Sequence, residues 1–482
     1  MVSKEFIVAI ELGSSKMTGI AGQKNQDGSI SVLAVIKEPS STFIRKGVVY
    51  NIDKTAQSIS NIVKKLETQL KTEIKKVFVG IGGQSLRSVR NVISRDLPAD
   101  TIVTGAMVNE LEDANRSMIY PDQEILDAAV QEYRVDSQYQ LDPVGIQCTR
   151  LEGNYLNFLQ REDFYKKLNM CFAMANISIA EMLNAPLALA DAVLTEAERR
   201  SGCALVDIGA DTTTVSVYSK NILRHLAVIP LGGANITKDI TSLQIDEADA
   251  EKMKLKYASA YTDNNEIDST LKYPIDQERQ VESRRFIEIV EARMQEIIEN
   301  VRYQIPSEYY DTLISGIILT GGGANMPNIE RAFRTYAHVD KIRIAKFPIQ
   351  VINSSNEDIK SRNGMMNTVL GLLIKGNMNC AGAEIDPSDM FRSSKSQNSN
   401  TEEQRSARQA ADVPAGVVRT EEEKKRAEEE RRRAEEERRR QMEEEERLRR
   451  EEEERLRQEN STWNKFKKKF NKYVSGIVEE EQ

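Results

Sequence analysis

Three short apolar runs, each halted by glycine, restrict what this chain can become more than any other feature of it. They are "FIVAIELGSS" at 6–15, "CALVDIGAD" at 203–211 and "ISGIILTGGG" at 314–323. Apolar runs of about four to eight residues bounded by turn residues read as strands buried on both faces. "KKVFVGIG" at 75–82 has the same form. Helical patterns lie between such runs, among them "KTAQSISNIVKKLETQL" and "RRFIEIVEARMQEIIENVRYQI". In the second, Phe286, Ile289, Val290, Met294, Ile297 and Ile298 fall on one face at the helical period. Strands alternating with helices predict an α/β architecture through about residue 376.

The chemistry open to such a fold is narrow. The 482 residues, 40% of them apolar, suffice for two or three domains with real cores. Only two histidines are present, His225 and His338, and both read as structural, which argues against Ser-His-Asp, Cys-His and His-metal sites, since each needs an imidazole beside its partner. Cys148, Cys171, Cys203 and Cys380 lie far apart with no C-x-x-C pair, and read as reduced, buried thiols. A net charge of −8 and a pI near 5.4 argue against nucleic acid as the main partner. No apolar run is long enough to span a membrane. The N-terminal "MVSKEFIVAIELGSS" is too short in its apolar part for a secretory leader, so the chain reads as cytoplasmic. Carboxylates, hydroxyls, lysine and backbone amides remain, and these suit phosphates.

The glycine turns offer such groups. In the first, Glu11 ends the strand and Gly13, Ser14, Ser15 and Lys16 follow, a turn able to present donors to phosphates while Glu11 holds a magnesium shell. The second has Asp207, Gly209 and Asp211, then Thr212, Thr213 and Thr214. In the third, Gly321, Gly322 and Gly323 open a helix and allow a ligand close to the backbone. Any one such turn is common in α/β proteins. Their order is the specific signal: an acidic strand end, a second near the middle, then a triple glycine. That is the pattern of a duplicated fold closing two acidic hairpins around a metal–nucleotide.

With these residues in place, the chain resembles the actin-like ATPase superfamily, and within it the FtsA family of bacterial cell-division proteins. "TEAERRSGCALVDIGADTTTVSVY", "LGGANITKDITSLQIDEADAEKMKLKYASA" and "EILDAAVQEYRVDSQYQLDPVGIQCTRLEGN" carry the resemblance, which covers about residues 5–376. It implies an actin/Hsp70-like duplicated ATPase fold with an FtsA-type inserted small subdomain. The implied division is subdomain 1A at 1–83 and 166–195, completed by about 345–376, and subdomain 1C at 84–165. Subdomain 2A takes 196–234 and 285–344, and 2B takes 235–284. The resemblance implies ATP and Mg²⁺ as ligands. Gly13, Ser14, Ser15, Lys16, Gly209, Thr212 and Thr213 would meet phosphate, and Glu11 and Asp207 would act on Mg²⁺ through water. Gly232, Gly233 and Asn235 would lie close by, Glu251 and Lys254 would touch the nucleoside, and Gly321, Gly322 and Gly323 would back the adenosine.

One segment departs from the family. Its second hairpin usually reads Asp-x-Gly-Gly-Gly-Thr-Thr-Asp, whereas here Ala210 and Asp211 replace two glycines and Thr214 replaces the last aspartate. The charge at Asp211 opposes a close phosphate approach, so the expectation is ATP binding with turnover below the ordinary enzyme median of about 10 s⁻¹.

Beyond about 377 the composition changes. Residues 377–420 read as a disordered linker, and 421–458 as a Glu/Arg helix whose sparse Ala427, Ala434, Met442, Leu448 and Leu456 favour a single helix over a coiled coil. Residues 460–478 form an amphipathic pattern at 100° per residue. Trp463, Phe466, Phe470, Tyr473, Val474 and Ile477 share one arc, with Lys465, Lys468, Lys469 and Lys472 opposite. This is the pattern of a helix lying in a membrane interface, with anionic lipid as partner. The family resemblance implies a protein that polymerises and tethers the ring of FtsZ, held by its C-terminal tail, to the cytoplasmic face of the inner membrane at midcell. It also implies downstream division proteins as partners. A pilus-assembly-type actin-like scaffold and a phosphoryl-transfer enzyme of the same superfamily are the alternatives.

Overall fold

The computed structural model of the protein describes residues 5–268, 270–275 and 279–384. The Glu/Arg run, the amphipathic segment and most of the expected linker lie outside the described residues.

The chain opens with β1 (Ile7–Leu12), β2 (Lys16–Lys24) and β3 (Ile30–Pro39), an antiparallel meander. Two short strands, β4 (Ile44–Arg45) and β5 (Val48–Val49), pair across the tip Lys46–Gly47. Helix α1 (Ile52–Leu70) follows, capped by Asn51, whose side chain accepts from the Lys54 amide at 3.0 Å. It buries Ile59, Ile62, Val63 and Leu66 against the sheet. Strand β6 (Lys76–Ile81) then runs parallel to β1.

An inserted unit comes next, with β7 (Arg87–Ile102), α2 (Gly105–Arg116), β8 (Gln123–Val135), β9 (Gln138–Gln140) and β10 (Gln147–Arg161). It has its own small core of Leu97, Val103, Leu111, Val135, Cys148, Leu151 and Tyr155. A buried amide cluster ties α2 to the sheet. Asn115 donates to the Asn157 carbonyl oxygen at 2.7 Å, Asn157 donates back at 3.0 Å, and Asn91 donates to Asn115 at 2.8 Å. Replacing Asn157 with Ala leaves buried Asn115 short of a partner. It should cost about 1–3 kcal/mol of the insert's stability, read as faster hydrogen exchange in α2.

Helix α3 (Glu162–Met174) returns the chain to the first sheet, where β11 (Ser178–Asn184) lies parallel to β6 and leads into α4 (Ala185–Val193). The second half repeats the first. Strands β12 (Cys203–Ile208), β13 (Thr213–Ser219) and β14 (Ile222–Ile229) form another antiparallel meander. Helices α5 (Gly233–Ile240), α6 (Glu247–Tyr257) and α7 (Ser283–Gln304) follow, then β15 (Ile317–Thr320), α8 (Ile329–Ala337), β16 (Ile342–Ile344) and α9 (Asn367–Lys375).

The first sheet contains β11-β6-β1-β2-β3, with Ile352–Asn353 added parallel to β3, and the second contains β16-β15-β12-β13-β14. Both orders amount to three antiparallel strands flanked by two parallel ones, so the halves are topological copies. Beyond β14, the second sheet is extended by the insert, through the single register pair Ala227–Arg87. Each half has a separate core, and a third cluster with Leu86, Leu156, Phe158, Leu189, Leu205 and Leu226 lies where the halves and the insert meet. This is the actin-like ATPase fold with an inserted unit.

The face expected on α7 is buried except at Ile289, which is half-buried along a hollow it shares with Lys238, Arg293 and Glu296. All four cysteines are buried free thiols. The linker boundary expected at 377 needs correction. Cys380 is fully buried and its amide donates to the Phe6 carbonyl at 2.8 Å, and Ala381–Glu384 pairs with Thr72–Ile74. Cys380 belongs to the core of the first lobe, with Met378 and Ala381 packed against it.

Candidate functional site

The duplication brings two strand-to-strand turns to equivalent places. In each, an acidic residue stands two positions before a glycine: Glu11 before Gly13, and Asp207 before Gly209. Each glycine is required by its own turn. A Cβ on Gly13 would lie 2.5 Å from the Lys16 carbonyl oxygen, and one on Gly209 would lie 2.9 Å from that of Thr212. The order Glu/Asp-x-Gly therefore encodes one local geometry used twice.

The two acids are poised unlike surface carboxylates. Glu11 is pushed up to about 7 by burial first and by the Asp207 charge second, against the opposing pull of Lys16 and Lys37. Asp207 is pushed up to about 6 by burial. Lys16 is itself lowered by burial and by Lys37. Burial and the neighbouring Asp207 charge raise the proton affinity of Glu11, and a bound cation would oppose both effects. Among the described residues no group of three or more His, Cys, Asp or Glu is placed to hold a metal by itself. The pair therefore suits a magnesium ion whose remaining ligands are water and phosphate.

The first turn is pinned from outside. The Ser40 hydroxyl donates to the Gly13 carbonyl at 2.6 Å, and the Gly47 amide donates to the Ser14 hydroxyl at 2.8 Å. Ser14 is nearly buried and Ser15 exposed. In the second turn Thr212 is half-buried. Thr213 is fully buried and spends its hydroxyl on the Leu231 carbonyl at 2.9 Å, which fixes the hairpin to the following loop. Asp211 faces the other half of the molecule, its carboxylate accepting from the Lys46 amide at 2.9 Å.

The remaining residues singled out in the sequence gather around these turns. Gly232 packs on the second one, where a Cβ would come within 2.6 Å of the Gly209 and Ala210 carbonyl oxygens. Asn235 accepts from the Gly232 amide at 3.0 Å, and Gly233 begins α5. Lys254 reaches from α6 to the Gly233 carbonyl at 3.0 Å and to Thr237 at 2.8 Å, and pairs with Glu251 at 2.7 Å. Gly321 touches Asp207 directly: a Cβ there would lie 2.3 Å from the carboxylate. Gly322 is open, with only Met365 near, at 3.9 Å, so a flat ligand can lie on that backbone. Asn325 holds this third turn to the neighbouring loop by donating to the Asn363 carbonyl at 2.8 Å. The open hollow between α5 and α7 shares only Asn235 with this set.

Sequence reasoning missed the Lys46–Gly47 tip and Ser40. The signal was present in "FIRKGVVY", where a Lys-Gly pair sits between two short apolar runs. Both tip residues are left-handed, at φ 51° and 71°, as a two-residue hairpin connection requires.

Known proteins share this arrangement of sequence and fold. Residues 204–371 match the family described as "Cell division protein FtsA", and residues 83–158 match the "SHS2 domain inserted in FTSA". The cell division protein FtsA of Porphyromonas gingivalis is 31% identical over 354 residues, 72% of this chain and 74% of the relative. The chain belongs to the FtsA family. Its FtsA-type insert is the unit built from β7 to β10. FtsA of Pseudomonas aeruginosa is 30% identical over 383 residues, covering 78% of this chain and 90% of that one. In fold, this FtsA-family chain is also similar to a solved "PilM-PilN type IV pilus biogenesis complex", with a TM-score of 0.53 at 15% identity, covering 79% of this chain and 99% of that one. At that identity the likeness concerns the fold alone.

Proposed function

We propose that this FtsA-family protein is a nucleotide-controlled membrane adaptor of cell division. It binds ATP with Mg²⁺ between its duplicated halves, polymerises, and holds the FtsZ ring and downstream division proteins to the cytoplasmic face of the membrane. The pairing of Glu11 and Asp207 at equivalent turns, both held well above their ordinary values, carries the nucleotide half of this reading. Glu11 and Asp207 hold the water shell of the ion, which supplies charge neutralisation to the phosphates. Ser14, Ser15, Lys16 and Thr212 face the phosphates, and the Gly321–Gly323 backbone supports the base. With Asp211 in the second turn, nucleotide acts as a conformational ligand more than as a substrate.

The membrane half rests on the residue pattern at 460–478, outside the described residues. Lys468, Lys469 and Lys472 each contribute about 1 kcal/mol toward anionic lipid. Trp463, Phe466, Phe470, Tyr473, Val474 and Ile477 bury apolar surface worth roughly 1.5–3 kcal/mol for each fully inserted side chain. Glu479, Glu480 and Glu481 oppose this. One copy therefore attaches reversibly, and an array attaches firmly.

Co-sedimentation with vesicles containing anionic lipid tests the reading. The full chain should pellet with them, more so with ATP, and carry FtsZ along. A chain ending at Asn460 and the Trp463→Glu variant should lose at least about tenfold in bound fraction. Undiminished pelleting of the shortened chain would sink the tethering role. The pilus-scaffold alternative would gain if FtsZ stayed in solution while pilus components pelleted.

A further inference from the structure

The tip between β4 and β5 touches both nucleotide turns at once. Its two successive amides part company: Gly47 donates to Ser14 in the first turn at 2.8 Å, and Lys46 donates to Asp211 in the second at 2.9 Å. The tip is also backed by Gly83 and Gln84. Gly47 lies against Gly83, where a Cβ on either would come within 2.7 Å of the other's backbone, and the Lys46 carbonyl accepts from the Gln84 amide at 3.0 Å. One carboxylate oxygen of Asp211 thus closes a connection from one half to the other, at the place where the two phosphate turns face each other.

A phosphate oxygen is the chemical equivalent of that carboxylate oxygen: an anionic acceptor for a backbone amide. We propose that Asp211 is a specificity-determining residue that occupies the Lys46 amide in place of the terminal phosphate of a nucleoside triphosphate. A triphosphate must displace Asp211 from Lys46 and stand beside its charge, whereas a diphosphate leaves the connection intact. The cleft therefore discriminates against the third phosphate, and the closed arrangement of the halves survives without it. Glycine at 211, the usual residue in the family pattern quoted above, has no such group. This inference rests on nucleotide binding in the cleft.

The test uses the full chain, with Asp211→Gly and Asp211→Asn, and measures dissociation constants for ATP and ADP with Mg²⁺. Asp211→Gly should tighten ATP by about tenfold, and Asp211→Asn, which sheds the charge but keeps the acceptor, by less, while ADP changes by less than about twofold in both. A second reading is hydrogen exchange at Lys46 without nucleotide. The amide should be protected in the parent, exchange at least about tenfold faster in Asp211→Gly, and stay protected in Asp211→Asn, which keeps an acceptor. An unchanged ratio of ATP to ADP affinity in both variants overturns the assignment and leaves nucleotide binding standing. A parent chain that binds neither nucleotide overturns both.

Discussion

Replacing Gly321 with Val is expected to abolish nucleotide binding and to destabilise the second lobe by about 3 kcal/mol or more. Three effects add. Gly321 sits at φ 85° and ψ 175°, a region almost confined to glycine that costs an L-residue about 1–3 kcal/mol. A Cβ would lie 2.3 Å from the Asp207 carboxylate and 2.6 Å from the Ile208 carbonyl oxygen, closer than real contacts allow. Relief requires β12 or β15 to shift, and these strands are in parallel register through Asp207–Thr320. Asp207 would move off its place opposite Glu11, so Mg²⁺-nucleotide affinity should fall by more than about a hundredfold. Gly322→Ala is the control: its Cβ meets only Met365, at 3.9 Å, so the fold should keep its melting temperature. Calorimetric unfolding and nucleotide titration of both variants decide the matter. A Gly321→Val protein as stable as its parent would show that the close approach to Asp207 is not required.

The second large effect is a pH dependence centred on Glu11 and Asp207. Folding raises Glu11 from an ordinary 4.5 to about 7 and Asp207 from 3.8 to about 6. For an acid raised in the folded state, the native protein holds the extra proton, so stability falls as pH climbs between the two values. The contribution is fully present below about pH 4 and gone above about pH 7. Nucleotide-free protein should therefore lose thermal stability across that interval. Magnesium needs the ionised pair, so stabilisation by Mg²⁺-ATP should grow over the same range. A ligand at a hundred times its Kd adds about 2.7 kcal/mol once the site is competent. Melting curves at pH 5.5 and 7.5, with and without Mg²⁺-ATP, should show the increment largely at the higher pH. Glu11→Gln should flatten the apo slope and remove the magnesium dependence. Equal ligand stabilisation at both pH values in the parent would count against a metal role for this pair.

Much of this architecture is legible in the sequence because its determinants are local. The run Ile7–Leu12 is apolar except at Glu11, and Cys203–Ile208 except at Asp207, so strand, burial and the odd acid are read directly. The Glu/Asp-x-Gly repeat encodes the same turn in both halves. The face of α7 follows from period alone, save for Ile289, whose exposure depends on how α5 packs beside it. Cys380 shows the opposite case. Its residue type reads as buried, but nothing near it in the chain announces an ordered segment, since its partners Phe6 and Val8 are over 370 positions away.

The sequence by itself determined the α/β class, the duplicated acidic turns, the candidate phosphate residues and the family to which the chain belongs. These are properties of segments a few residues long, where apolar period and glycine placement decide the backbone. Tertiary structure alone decided what Asp211 does. In the chain it is a charge in a turn that ordinarily carries glycine, and its local chemistry argues only repulsion of phosphate. In the fold, a hairpin tip 165 positions earlier offers its carboxylate an amide, and the intruding charge becomes a bond between the two halves. Thr213 was redirected in the same way, toward Leu231. A hydrogen bond needs a partner as well as a donor, and distant partners are chosen by packing.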